Sequence, residues 1–227
     1  PPPALLLDVG GAAGVYAFPL TKKGHEVHLI DPIALHIEQA RQHAKTSHLE
    51  LASYTVGDAR ALPQRDRTAD IVLLLGPLYH LPVPEDRALA LQETCRVLKP
   101  GGLLFAAGIS RFASLMDAMH KAKISSKFAS LQTDLADGRH NSSDGFTSAY
   151  FHYPHDLKKE VEKSGFEEVV LLAIEGPVWE QGILSILERD QKGWSQLLTL
   201  LETVEQEESL LGASAHLLAV GRKKCLP

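Results

Sequence analysis

Apolar residues in this chain come in short, nearly unbroken runs rather than in alternation with polar ones. LLLDV (Leu5–Val9), HEVHLID (His25–Asp31), DIVLLLG (Asp70–Gly76) and LLFAAGI (Leu103–Ile109) share this character. Strands covered on both faces of a parallel sheet read this way. Between them lie segments of helical period. A first helix spans roughly residues 15–23 and ends at Gly24, and PIALHIEQARQHAK forms a second, with Pro32 suited to its first turn. LASYTVGDA gives a strand ending near Gly57 and Asp58, and EDRALALQETCRVL gives a helix stopped by KPGG. Strands separated by helices of this length pair in parallel through right-handed crossovers. The predicted fold is therefore α/β, a Rossmann-like sheet with helices on both faces.

The alternation breaks after Ile109. Residues 110–144 are rich in Ser, Lys, Met and Ala and contain DGRHNSSDG. They are expected to form helical pieces and a polar loop that covers a site, as a lid does. HDLKKEVEKSGF then predicts a helix, EEVVLLAIEG a strand, residues 179–211 a largely helical stretch interrupted around Gly193, and AHLLAVGRK a closing strand. No repeat and no second hydrophobic core is evident. The expectation is one domain over residues 1–227, with a ligand-binding core at 1–109, an insertion at 110–150 and the rest of the sheet at 151–227.

Composition narrows the function. The 227 residues are 44 % hydrophobic and 22 % charged, with a formal net charge of −5, which argues against nucleic acid as the main partner. No apolar run reaches the ~20 residues needed to span a bilayer, so no membrane partner is expected. The two cysteines, Cys95 and Cys225, lie far apart without a CxxC pair. Unpaired thiols in a reducing compartment are the expected state, and the chain is read as cytoplasmic.

In sheets of this kind ligands gather at the carboxyl ends of the strands, and Asp8, Asp31, Asp58 and Gly76 all fall at predicted carboxyl ends. The turn Gly10-Gly11-Ala12-Ala13-Gly14 lacks the GxGxxG spacing of a dinucleotide site and the Lys-Ser/Thr of a P-loop. It fits instead an acid-x-Gly-x-x-x-Gly pattern built on Asp8, Gly10 and Gly14. An acid at that strand end suits a ligand that carries positive charge. Asp31 is placed to accept hydrogen bonds from ribose hydroxyls, and Asp58 to meet an adenine edge.

LLLDVGGAAG, LIDP, VGDARALP, DIVLLLGPLYHL and RVLKPGGLLFAAGI follow one another in the order and spacing of the class I S-adenosylmethionine-dependent methyltransferases. The resemblance covers Leu5 to about Ile109, and the later segments look like a bacterial-type subset that acts on small molecules. It implies a seven-stranded, mostly parallel sheet with an antiparallel last strand, and S-adenosylmethionine as cofactor, with S-adenosylhomocysteine as product. Carried onto this sequence, Gly10, Gly11 and Gly14 let the backbone approach the methionine part, and Asp8 faces its amino group. Asp31 holds the ribose, Pro32 or Ile33 lies against the adenine, Asp58 and the Ala59 amide read the adenine edge, and Leu75 lines the far side. The sequence departs from the family at Ala12, where the central residue of the turn is commonly glycine. Related enzymes often carry one or two helices ahead of the first strand, and the resemblance leaves open whether this protein has them.

Methyl transfer needs an aligned nucleophile and exclusion of water, with a base only where the acceptor must lose a proton. Tyr79 and His80, just past the fourth strand, are the candidate catalytic residues. Tyr150, His152 and Trp179 are candidates for contact with a small O or N acceptor. His152 and His155 have the spacing of half a metal site without companions, and no metal is expected. Two other readings remain at this level: a regulatory protein that binds the cofactor without transferring methyl groups, and a nicotinamide enzyme, disfavoured by the glycine pattern.

Overall fold

A computed structural model describes residues 3–142, 146–177 and 189–225. The chain forms two compact units, passing between them more than once. The first comprises Pro1–Ala107, Lys159–Val169 and Val220–Pro227, and the second Gly108–Lys158 and Val170–Ala219.

The first unit begins with β1 (Leu5–Val9), α1 (Ala17–Lys22), β2 (Glu26–Asp31), α2 (Ala34–Ser47), β3 (Ser53–Val56), β4 (Ala69–Leu74) and α3 (Pro84–Val97). β5 (Leu98–Ser110) follows. The strands stand in the order β3-β2-β1-β4-β5, all parallel. Leu6, Leu7, Asp8 and Val9 are all buried, which explains why β1 shows no alternation: both of its faces are covered. On one face Leu6, Val27 and Leu29 pack with Phe18 of α1 and with Ile37, Ala40 and Ala44 of α2. The three α2 residues recur at helical spacing, and two alanines let the helix lie close to the sheet. Each fully buried Leu or Phe stabilises this layer by about 1.5–3 kcal/mol.

β5 starts earlier than the sequence implies. Ala69 pairs with Leu98 and Ile71 with Leu103, so the KPGG segment is a bulge inside the strand rather than a turn before it. Gly101 accommodates the bulge at φ +75°. α1 in turn starts later than expected, at Ala17, leaving Val15 and Tyr16 exposed.

The second unit contains α4 (Ala113–His120), α5 (Ile124–Asp137), β6 (Arg139–His140), β7 (Ala149–His152), α7 (Gln191–Val204) and α8 (Glu208–Leu211). Four elements belong partly to each unit: the end of β5, α6 (Pro154–Lys163), β8 (Phe166–Ala173) and β9 (His216–Lys223). β6, within the stretch expected to form helical pieces and a polar loop, pairs antiparallel with β7 beyond it, and neither strand was expected. Buried Arg111 organises this region. Its Nε donates to the Phe151 carbonyl at 2.8 Å, and its guanidinium lies 4.3 Å from the centre of the Tyr153 ring. A side chain on Gly138 would meet the guanidinium of Arg111 at 2.5 Å, and φ +77° there closes α5.

β9 lies between β5 and β8. The Ile174 amide donates to the His216 carbonyl at one end of the β8–β9 ladder, and the Lys224 amide to the Gly165 carbonyl at the other. The last strand is therefore antiparallel to its neighbour. The expected fold class is observed, with β6 and β7 added to the expected strands. Gly193 lies in the first turn of α7, where the Asp190 carboxylate accepts its amide at 3.0 Å, and most of the expected helical stretch before it lies outside the described residues.

Candidate functional site

The glycine turn after β1 is shaped by what stands against it. Gly10 has φ +70°, donates its amide to the Ile30 carbonyl at 2.8 Å, and would place a Cβ 2.7 Å from the Pro77 ring. Gly14, at φ +88°, leaves room for the Phe18 ring. Ala12 also adopts a left-handed conformation, φ +48°, which explains why glycine is common there: an L-residue pays about 1–2 kcal/mol for it.

Asp8 sits under this turn at 1 % exposure. A Cβ on Gly11 would lie 2.5 Å from its Oδ2, and that oxygen has no hydrogen-bond partner. Burial drives the Asp8 carboxyl up to about 7. The Ala17 amide opposes the rise and the neighbouring Asp31 charge adds to it. A buried carboxylate oxygen without a donor is costly. A cationic ammonium is the ligand group that would best offset it.

Asp31, at the end of β2, is 4 % exposed. Its Oδ2 accepts the Ala12 amide, and its Oδ1 accepts the Ile33 amide and contacts His36 Nδ1, each at 2.9 Å. The carboxylate thus ties the glycine turn to the start of α2. With about four acceptor positions on a carboxylate, it retains capacity for one ribose hydroxyl, and a second becomes available when His36 turns away. His36 has no distinctive sequence signal beyond its place in the first turn of the helix after Asp31.

Asp58 is clamped by Arg60, which donates from Nε to Oδ1 at 2.9 Å and from Nη2 to Oδ2 at 2.7 Å, while its Nη1 reaches Asp86. The Arg60 side chain holds the Asp58 carboxyl below the ordinary carboxylate range. Ala59 beside it is buried, Pro32 is exposed and Leu75 is half-buried. Exposed Ile33 and Leu35 add apolar surface beside Pro32.

Tyr79 and His80 lie on a 3-10 turn, Pro77–His80, whose Leu78 is fully buried and whose Pro77 rests on Gly10. Their ring centres are 4.7 Å apart. Burial raises the Tyr79 hydroxyl above its ordinary value, with a smaller contribution from Tyr16. Burial lowers His80, and the Asp31 charge opposes that in part. The turn is fixed from behind by buried Arg87, which donates to the Leu81 and Pro82 carbonyls at 2.9 and 3.2 Å and pairs with Glu160 at 2.8 Å. Neither Tyr16 nor Arg87 was marked by any motif.

In the second unit, Tyr150 and His152 occupy alternate positions on β7 and therefore share a face. The Tyr150 hydroxyl accepts from Arg111 Nη2 at 3.3 Å, and His152 is fully buried against the Gly108 backbone. Packing holds both of them. Trp179 lies outside the described residues. Among the described residues no group of three or more His, Cys, Asp or Glu is placed to hold a metal ion.

Residues 7–106 match a family model described as a methyltransferase domain. The ubiquinone biosynthesis O-methyltransferase of Methylocella silvestris is 38 % identical over 106 residues, which is 47 % of this chain and 40 % of that protein. A ubiquinone/menaquinone biosynthesis C-methyltransferase of a Ruegeria species is 33 % identical over 109 residues, 47 % of this chain and 42 % of that protein. The matched part spans about two fifths of these curated relatives. Among solved structures, an S-adenosylmethionine-dependent methyltransferase from Methanosarcina mazei superposes with a TM-score of 0.66 at 16 % identity, covering 98 % of this chain and 93 % of that one. A possible histamine N-methyltransferase from Thermotoga maritima gives 0.57 at 21 % identity, covering 99 % and 84 %. Residues 7–106, less than half of the chain, are thus similar to a methyltransferase domain, and the solved structures share the fold of the chain.

Proposed function

We propose that this protein is an S-adenosylmethionine-dependent methyltransferase that acts on a small-molecule O or N acceptor. The observation that carries the reading is the partnerless Oδ2 of buried Asp8 beneath a turn whose glycines leave no side-chain bulk. Such a site fits a ligand that brings an ammonium group and lies against the backbone, as the methionine part of this cofactor does. When bound, the cofactor supplies an electrophilic methyl group on a sulfonium.

The chain's own residues divide the remaining work. Asp8 pairs with the amino group once ionised, and Gly10, Gly11 and Gly14 admit the ligand to the backbone. Asp31 accepts from the ribose while it keeps the turn tied to α2. Pro32, Ala59 and Leu75 form the adenine surroundings, and Asp58 reaches an adenine edge by giving up one of its bonds to Arg60. Tyr79 and His80 are assigned to the reacting end. The raised Tyr79 hydroxyl stays protonated and donates, and the lowered His80 is a neutral imidazole near pH 7, able to take a proton from an acceptor. Absence of a spanning helix among the described residues and the formal net charge of −5 fit a small-molecule acceptor away from membrane and nucleic acid.

Calorimetric titration with S-adenosylmethionine, S-adenosylhomocysteine and NAD tests the reading. Micromolar binding of the two sulfur ligands and none of NAD is expected. Binding of NAD alone, or of none of the three, would overturn it.

A further inference from the structure

Asp58 lies two residues past the end of β3, within the first unit, and one neighbour holds both of its carboxylate oxygens. Oδ1 accepts the Arg60 amide at 2.8 Å and Arg60 Nε at 2.9 Å. Oδ2 accepts Arg60 Nη2 at 2.7 Å, and Arg60 Nη1 donates to Asp86 Oδ2 at 2.9 Å. Asp86 stands in the first turn of α3, where the helix N-terminus favours an acid with or without an arginine beside it.

Stability of the loop does not account for this clamp. The three side chains are between 31 and 41 % exposed, and ion pairs so placed contribute little to folding. The loop is also tied to α3 without them. Arg96 donates to the Leu62 and Gln64 carbonyls at 2.9 and 2.8 Å, and the Glu93 carboxylate accepts the Leu62 amide at 2.8 Å. What the clamp does fix is the orientation of the Asp58 carboxylate. A forked guanidinium holds both oxygens in one plane, which a single ammonium cannot do. Oδ1, with two donors, is filled, so the Nη2 bond to Oδ2 is the one that a ligand can take over. After that exchange Nε and the Arg60 amide still pin Oδ1, and Asp86 still holds the guanidinium at Nη1.

We propose that Arg60 is a positioning residue for base selection: by pinning Asp58 it presents Oδ2 as a fixed acceptor, which takes a base bearing an exocyclic amino group and rejects one bearing a carbonyl there. The inference rests on the methyltransferase reading, which assigns Asp58 to the adenine edge. An amino group donates to Oδ2 and replaces Nη2, one bond for one. A carbonyl in that place faces a carboxylate oxygen that the clamp does not let turn away, and two acceptors meet with no hydrogen between them.

Calorimetry on the full chain compares S-adenosylhomocysteine with S-inosylhomocysteine, in which a carbonyl replaces the amino group of adenine. One lost charge-assisted hydrogen bond predicts about 10–100-fold weaker binding of the inosyl ligand to the wild type. Arg60→Met frees Asp58 to turn away from the carbonyl, and the ratio is expected to fall by about tenfold, chiefly through tighter binding of the inosyl ligand. A residue that only supported the loop would weaken both ligands alike and leave the ratio as it was. Asp86→Asn keeps the fork on Asp58 and removes only its anchor. Its ratio is expected to lie between the other two, and it decides the matter if Arg60→Met does not fold. An unchanged ratio in the folded variant overturns the role of Arg60 and leaves the methyltransferase reading standing. Equal binding of the two ligands by the wild type also overturns the inference alone. If S-adenosylhomocysteine does not bind the wild type, both fall.

Discussion

The Asp31 carboxylate accepts the Ala12 amide at 2.9 Å across nineteen positions of sequence, so the residue expected to hold the ribose also holds the glycine turn in place. Its other oxygen serves Ile33 and His36. One side chain thus couples ligand binding to the local backbone, and substitutions here affect both.

Asp31→Asn replaces one acceptor oxygen by a donor that faces a backbone N–H. Affinity for S-adenosylhomocysteine is expected to fall about 10–100-fold, with about 1–3 kcal/mol lost from stability. His36→Ala leaves the backbone bonds of Asp31 intact and frees one acceptor position. Its affinity is expected to be unchanged or higher. Calorimetry on both variants checks the pair, and a fall in the His36 variant as large as that of Asp31→Asn would contradict the assignment.

Asp8 sets a pH dependence of definite sign. Its folded value of about 7 lies above the ordinary carboxyl value of 3.8. Between those values the folded state binds more protons than the unfolded one, so stability falls as pH rises from about 4 to about 7. The full difference amounts to about 4 kcal/mol. Urea denaturation of the wild type and Asp8→Asn across this range is expected to show a difference curve of that sign, with the variant gaining on the wild type as pH rises.

An ammonium ligand requires the ionised form of Asp8. Cofactor affinity is therefore expected to decline below pH 7 by up to tenfold per pH unit and to level off above it, with proton release on binding near neutrality. Calorimetry in buffers of different ionisation enthalpy measures the released proton directly. Proton uptake, or none, would count against the pairing.

The turn itself predicts opposite effects at neighbouring positions. Ala12→Gly relieves a left-handed alanine and is expected to raise the melting temperature by a few degrees, for about 1 kcal/mol. Gly10→Ala introduces a Cβ 2.7 Å from the Pro77 ring at φ +70° and is expected to destabilise by more than that. Thermal unfolding of the two variants decides this.

Arg87→Met removes the donor that holds Leu81, Pro82 and Glu160. A loss of about 3 kcal/mol or more is expected, roughly 6–12 °C in melting temperature. Arg87→Lys recovers only part of it, since one ammonium cannot span both the carbonyls and the carboxylate.

The β1–α1–β2 unit, the sheet class and the acids at the strand ends were legible because they depend on local pattern. An unbroken apolar run ending in Asp, then glycines, specifies a buried parallel strand and a tight turn wherever it occurs. Asp8 and Asp31 could be picked out from their positions alone, and so could Gly10 and Gly14. What those side chains touch depends on residues far away in sequence. Arg60 clamps Asp58, Pro77 leans on Gly10, and Arg87 fixes the turn that bears Tyr79 and His80; no local period encodes such contacts.

The β6–β7 pair shows the limit most clearly. A two-residue strand carries no period, and only pairing with residues 149 and 150 makes it one. That pairing sets which face of β7 each side chain takes, so that the Phe151 ring stacks on His140 while Tyr150 and His152 take the opposite face. The sequence by itself determined the sheet, its turn and the acids that end its strands, because hydrophobic runs and glycine geometry act over a few residues. The tertiary structure alone decided the partners of those acids, the orphaned oxygen of Asp8 and the Arg87–Glu160 pair, because hydrogen bonding and burial are settled only once distant segments meet.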